Sequence, residues 1–198
     1  MSAHAADVPW PPDGAPGRPR IAPQPEALWA ASARDVLDTD LSASGLGAGR
    51  LGDLHLFSTL ARNPDLLTSW LGFGAHLLLA AGLPAPDREL VILRVARNCR
   101  CRYEWVQHER LAAGTGLSPA DVARVAEGPG APGWSPRQAL LLTAADELHA
   151  HARLSDATWA ALAGELSERD LVELPMLAGH YHMLAFVINT LGIEPEQP

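Results

Sequence analysis

Cysteine is almost missing from this chain of 198 residues: there are two, Cys99 and Cys101, only two positions apart. A pair so close cannot staple distant parts of a fold, and no charged stretch followed by an apolar leader comes before it. A reducing, cytoplasmic setting is therefore expected. Basic residues are also few, 15 Lys and Arg against 23 Asp and Glu, which leaves a formal charge of −8. Without a dense basic cluster nothing here would neutralise a phosphate backbone, and nucleic acid is not an expected partner. Apolar runs such as residues 77–83 are too short to span a bilayer, so no membrane segment is expected. Runs of β-branched residues are scarce, and strands are not expected either.

Hydrophobic residues make up 47% of the chain, enough for one ordinary domain with a core. Seven of the 17 prolines fall between Pro9 and Pro25. Residues 1–24 thus read as a proline-rich arm and residues 25–198 as a single helical domain. The arm is either a mobile tail or a strap over a neighbouring subunit anchored by Trp10 and Ile21.

Helix punctuation is regular beyond Glu26. Pro64 opens a helix to about residue 81, which Gly82 and Pro84 end. Asp87 caps residues 88–98, and another helix covers about 100–115 before Gly116. Ser118-Pro119-Ala120-Asp121 has the form of a capping box, Ser135-Pro136 starts a helix of about 16 residues, and Ser155 caps the next. Ser167 opens the last helix, apolar from Leu171 to Leu191, interrupted by Pro175 and stopped by Gly192. The expectation is an all-α bundle of about seven to nine helices. Arg88-Glu89-Leu90-Val91-Ile92-Leu93 and Arg169-Asp170-Leu171-Val172-Glu173-Leu174 share a pattern, which is either a duplicated helical hairpin or a chance match between amphipathic helices.

Chemistry concentrates after Asn98. Cys101, Glu104 and His108 follow i, i+3, i+7 spacing, which lines up a thiol, a carboxyl and an imidazole on one stripe flanked by apolar Trp105, Leu111 and Ala112. Burial would move their pKa values toward proton exchange near neutrality. The plainer alternative is a surface Glu104/His108 pair and an inert core thiol. Tyr103, Trp105, His180 and His182 are candidate substrate contacts, with packing as the other reading. His180 and His182, two apart, must face different ways on their helix. His149 and His151 read as surface residues. With no H-x-x-x-H or local Cys/His set, no metal site is expected.

The run Arg88-Glu89-Leu90-Val91-Ile92-Leu93-Arg94-Val95-Ala96, followed by Cys101-Arg102-Tyr103-Glu104-Trp105-Val106-Gln107-His108, resembles the core signature of the carboxymuconolactone decarboxylase and alkylhydroperoxidase-D-like superfamily. The resemblance implies a helical bundle, a homotrimer or homohexamer, and an enzyme working without a cofactor. In its peroxidase branch the pattern is a glutamate, C-x-x-C and a histidine. Here Glu89, Cys101 and His108 match, and Glu104 replaces the second cysteine. A dithiol peroxidase needs a second thiol to resolve the sulfenic acid, which Glu104 cannot do. Cys99 could substitute only if the helix began after it or unwound locally, because C-x-C inside a helix sets thiols about 200° apart. The resemblance therefore implies acid-base chemistry on a small cyclic acid or lactone. His108 is then the principal proton shuttle, Glu89 its orienting partner and Glu104 a second acid-base group, with thiol peroxidase as the alternative.

Overall fold

The computed structural model describes residues 19–42 and 49–196. Most of the proline-rich arm, Trp10 included, lies outside the described residues. Its end is tied to the body by Arg20 N–H to the Leu191 carbonyl (2.8 Å) and Gln24 N–H to the Ser58 carbonyl (2.9 Å), while Ile21 stays exposed.

Nine α-helices occur among the described residues, with no strand and one isolated bridge, Asp40 to Arg50. They are α1 (Ala31–Leu37), α2 (His55–Leu60), α3 (Pro64–Ala75), α4 (Ala85–Asn98), α5 (Arg102–Ala113), α6 (Pro119–Glu127), α7 (Pro136–His151), α8 (Asp156–Ala163) and α9 (Glu168–Leu191). Short polar side chains start the later helices as the sequence suggests. Ser118 and Ser135 form reciprocal capping boxes with Asp121 and Gln138, and Ser155 and Ser167 accept from Thr158 and Asp170 N–H.

Two boundaries differ from expectation. α4 starts at Ala85, because Pro86 in its first turn has no N–H to satisfy, and Asp87 is a buried first-turn residue bonded to Arg137 (2.8 Å) rather than a cap. α5 starts only at Arg102: Cys99 ends α4, Arg100 turns the chain at φ 55°, and Cys101 is the N-cap of α5. The helical bar to C-x-C pairing therefore does not apply, since neither cysteine lies inside α5. After α3 the chain widens into a π-helical stretch, His76–Ala80, which reading by 3.6-residue periodicity does not detect.

α4 is the hub. It packs on α5, α6, α7 and α9, and its buried set of Glu89, Leu90, Val91, Ile92, Leu93, Val95 and Ala96 covers nearly its whole circumference. Leu90 and Leu93 face a cluster with Trp105, Val122, Val125 and Leu142, whereas Val91, Ile92 and Val95 join the larger core with α7 and α9. α9 is long and apolar enough to cross a membrane by length and composition, but 56% of its apolar window is buried, where Leu174, Leu177, Ala178, Leu184 and Ile188 fill the core.

One half-buried ion pair ties the hub to its neighbours. Arg94 on α4 grips Asp146 on α7 through Nε (2.6 Å) and a second nitrogen (2.9 Å), and donates to the Val125 carbonyl at the end of α6 (2.9 Å). Asn98 also donates to Asp146 (2.7 Å). Removing the carboxylate strands two donors at once. Asp146→Ala is expected to lower the unfolding free energy by about 2 kcal/mol in urea titration with unchanged slope; a shift within about 0.5 kcal/mol would mean the pair adds nothing.

Candidate functional site

A cavity of about 540 Å³ opens between α3, α5 and α9, closed on a further side by the segment running into α2. Its walls are mostly Leu, Phe and Trp side chains of α2, α3 and the preceding loop, and apart from Thr39 its polar groups come from α5 and α9. Glu104 and His108, one helical turn apart on α5, both reach it, as do Gln107 and Arg110.

His108 is 6% exposed, and its Nδ1 lies 2.8 Å from Oε2 of Glu89, which is 2% exposed on α4. Donation from Nδ1–H to the carboxylate leaves Nε2 as the basic nitrogen available to the cavity. Tyr181 sets its ring against His108, centroids 4.9 Å apart at 89°, which restricts imidazole rotation. Glu89 itself does not line the cavity; it stands behind the histidine.

Glu104 is 3% exposed, and neither carboxyl oxygen has a hydrogen-bond partner. Burial pushes this carboxyl well above the usual carboxylate range; the nearby Cys101 thiol, outside good hydrogen-bonding geometry, opposes the shift only in part. A buried carboxyl without a donor is stable as the neutral acid, a group able to give a proton. Cys101 is fully buried in the core and is not among the residues lining the cavity. Burial, with the carboxyl of Glu104 next, pushes its thiol up, and burial pushes the Cys99 thiol up to about 12.

The candidate contacts separate. Tyr103 lines the cavity, with its hydroxyl donating to Glu196 near the C-terminus (2.9 Å) and accepting from Leu56 N–H (3.2 Å). His180 lines it too, stacked on Trp70 (5.7 Å, 8°) with an unpartnered Nδ1. Burial, then the neighbouring His108, lowers its pKa to about 4, so its ring is neutral. Gly74 makes room for it: a Cβ there would meet the ring at 3.3 Å. Trp105 does not reach the cavity: about 100° around α5 from Glu104, it is buried with Leu90, Leu93 and Val125. His182 also faces away, bonded at 2.9 Å to His149. Local spacing offers no metal-ligand set, but the fold brings Cys99, His149 and His182 together across helices, with one donor atom of each within 4.8 Å of the others.

Sequence reasoning passed over Gln107, Arg110, Trp70 and Glu196. Gln107 and Arg110 are three residues from Glu104 and from Gln107 respectively and share its helix face, a signal that was present. Glu196 had none, since its carboxylate reaches Tyr103, Gln107 and His55 N–H only through the return of the chain after α9.

Residues 64–147 match the carboxymuconolactone decarboxylase family. No curated protein sequence matches the chain. Among solved structures, a peroxidase-related protein with an alkylhydroperoxidase AhpD core from Ralstonia eutropha JMP134 superposes with TM-score 0.76 at 20% identity, covering 89% of this chain and 93% of that one. A peroxidase-related protein from Silicibacter sp. TM1040 gives 0.72 at 18% identity over 96% and 95%. A cysteine-to-alanine variant of the debrominase Bmp8, in complex with 2,3,4-tribromopyrrole, gives 0.75 at 16% identity over 93% and 94%. At such identities the superpositions establish the fold alone. The part of the chain from α3 through most of α7 is thus similar to the carboxymuconolactone decarboxylase family, and the described residues follow the helical fold of the AhpD-like structures.

Proposed function

We propose that the chain is a cofactor-independent acid-base enzyme acting on a small, mostly apolar cyclic acid or lactone. The observation that carries this is the buried Glu104 carboxyl, without a hydrogen-bond partner, sharing a cavity wall with a histidine bonded to Glu89. In this reading Nε2 of His108 takes a proton from the bound molecule, and Glu104 returns one to the carbon or carbonyl oxygen that receives it. The proton on His108 then reloads Glu104 or leaves to solvent, so no electron acceptor is needed. Arg110, exposed at the rim, would pair with a substrate carboxylate, and the leucine-rich wall would hold its ring. The tribromopyrrole in the debrominase supports a small apolar ring as the kind of guest this fold receives.

The thiol peroxidase alternative has one observation in its favour, the non-helical turn carrying both cysteines. Against it, burial keeps both sulfurs as thiols, whereas peroxide attack needs a thiolate. In a screen of small cyclic acids and lactones, His108→Gln is expected to lower kcat about 10²–10⁴-fold while Cys101→Ser retains activity. Full loss on blocking Cys101, with free thiols consumed by peroxide, would establish the peroxidase instead.

A catalytic acid held in this way destabilises the fold as pH rises. Above the carboxyl's unfolded pKa the native state binds more protons than the unfolded one, so stability falls toward alkaline pH. Glu104→Gln removes that linkage. Its thermal midpoint is expected to exceed that of the parent by about 4 °C at about pH 8 and by much less at about pH 5; equal differences at both pH values would show that Glu104 does not titrate on unfolding.

We also propose that α9 mediates self-association. Val172, Met176, Met183 and Phe186 are 67%, 49%, 43% and 65% exposed and, with Gly179, alternate at spacings of four and three. This 3.5-residue repeat suits a second copy of the same helix. Light scattering is expected to show a homo-oligomer, a trimer or hexamer, that Phe186→Glu reduces toward monomer; a monomeric parent would end this reading.

A further inference from the structure

The three donors gathered behind the cavity come from three different helix segments. Cys99 ends α4, His149 lies in the last turn of α7, and His182 is midway along α9. The Cys99 sulfur is 3.9 Å from Nδ1 of His149, and that nitrogen is 2.9 Å from Nε2 of His182. A tetrahedral zinc ion with bonds of about 2.0–2.1 Å to nitrogen and 2.3 Å to sulfur needs its nitrogens about 3.3 Å apart and sulfur about 3.6 Å from each. The observed spacings differ from that by about 0.3–0.4 Å in these two pairs, within reach of small side-chain rotations.

We propose that Cys99, His149 and His182 form a zinc-class metal site, with a solvent molecule as fourth ligand. Its supports are already in place. His182 donates Nδ1–H to the Ala178 carbonyl (2.8 Å), which fixes the tautomer and leaves Nε2 as a lone pair aimed at His149. Asn189 donates to the Cys99 carbonyl (2.9 Å), holding the residue that carries the sulfur. The last turn of α7 presents the negative end of a helix, which favours a cation beside His149. Mixed thiolate and imidazole donors select zinc and its analogues over magnesium or calcium.

Without metal, two nitrogens at 2.9 Å must share a proton, and His182 Nε2 can only accept, so His149 Nδ1 holds it. On binding, the metal takes that place: His149 carries its proton on Nε2 instead, the Cys99 thiol releases its proton to solvent, and three coordinate bonds form with no change of oxidation state. The ion then joins α4, α7 and α9 and fixes the turn from Cys99 to Cys101 that starts α5. It also occupies the Cys99 sulfur, which removes the only other thiol that could pair with Cys101.

The test uses the full chain, stripped with chelator, dialysed, and titrated with Co²⁺ and then Zn²⁺. One Co²⁺ per chain is expected, with tetrahedral visible bands and a thiolate charge-transfer band that Zn²⁺ displaces. Cys99→Ser should abolish the charge-transfer band, and His149→Ala and His182→Ala should each weaken binding at least about 10-fold. Cys101→Ser and His151→Ala should bind as the parent does. Circular dichroism of each variant confirms folding, and the band in the parent stands independently of any variant. Absence of a thiolate band in the parent, its survival in Cys99→Ser, or its loss in Cys101→Ser would each overturn the proposal.

Discussion

The hydrogen bond between Glu89 and His108 is the constraint around which the site is organised, because it joins the hub helix to the helix that faces the cavity inside a water-poor core. A carboxyl buried to 2% exposure on α4 is costly unless a donor meets it, and His108 is placed to be that donor. The bond therefore does two things. It makes burial of Glu89 tolerable, so α4 can be packed on nearly every side, and it fixes which imidazole nitrogen faces the cavity. Glu104 has no such relief: the same dry surroundings hold it as an acid. Two carboxyls near one imidazole, Glu89 across from it on α4 and Glu104 one turn away on α5, thus take opposite roles, and the difference lies in whether a donor is within reach.

The fold was largely legible because its helix starts are written in local chemistry. Ser118, Ser135, Ser155 and Ser167 each cap the helix that follows, and Gly192 ends α9 in the left-handed region expected of glycine. The turn between α4 and α5 was not legible, since the left-handed position falls on Arg100, a residue with no preference for it. Misplacing that turn by two residues put Cys101 inside a helix, which made the argument against C-x-C pairing look stronger than the backbone allows.

The site was legible to the extent that it lies on one helix. Glu104 and His108 at i, i+4 share a face as spacing requires, whereas Trp105, about 100° around the helix from Glu104, is buried in the cluster with Leu90 and Leu93. His180 and His182 obey it as well: one lines the cavity on Trp70, the other turns to His149. What spacing could not provide is anything joined across helices. His149 is 50 residues from Cys99 and 33 from His182, and Glu196 is 89 residues from Gln107, so only the packing of α4, α5, α7 and α9 brings these groups together.

That distinction bears on how a cysteine in this fold is to be understood. Cys101 and Cys99 are separated by one residue, yet the turn at Arg100 divides them between two environments. Cys101 is enclosed with Glu104 near the wall of the apolar cavity, and Cys99 is presented to two imidazoles beside the end of α7. Redox partnership needs two sulfurs in one place with one of them ionised. Here burial holds Cys101 as a thiol, and the nearest donors to Cys99 are ring nitrogens, so the chain has the two sulfurs of a dithiol motif without its electrostatics. The cavity reached by Glu104 and His108 thus lies on one side of the turn, and the cluster of Cys99, His149 and His182 on the other.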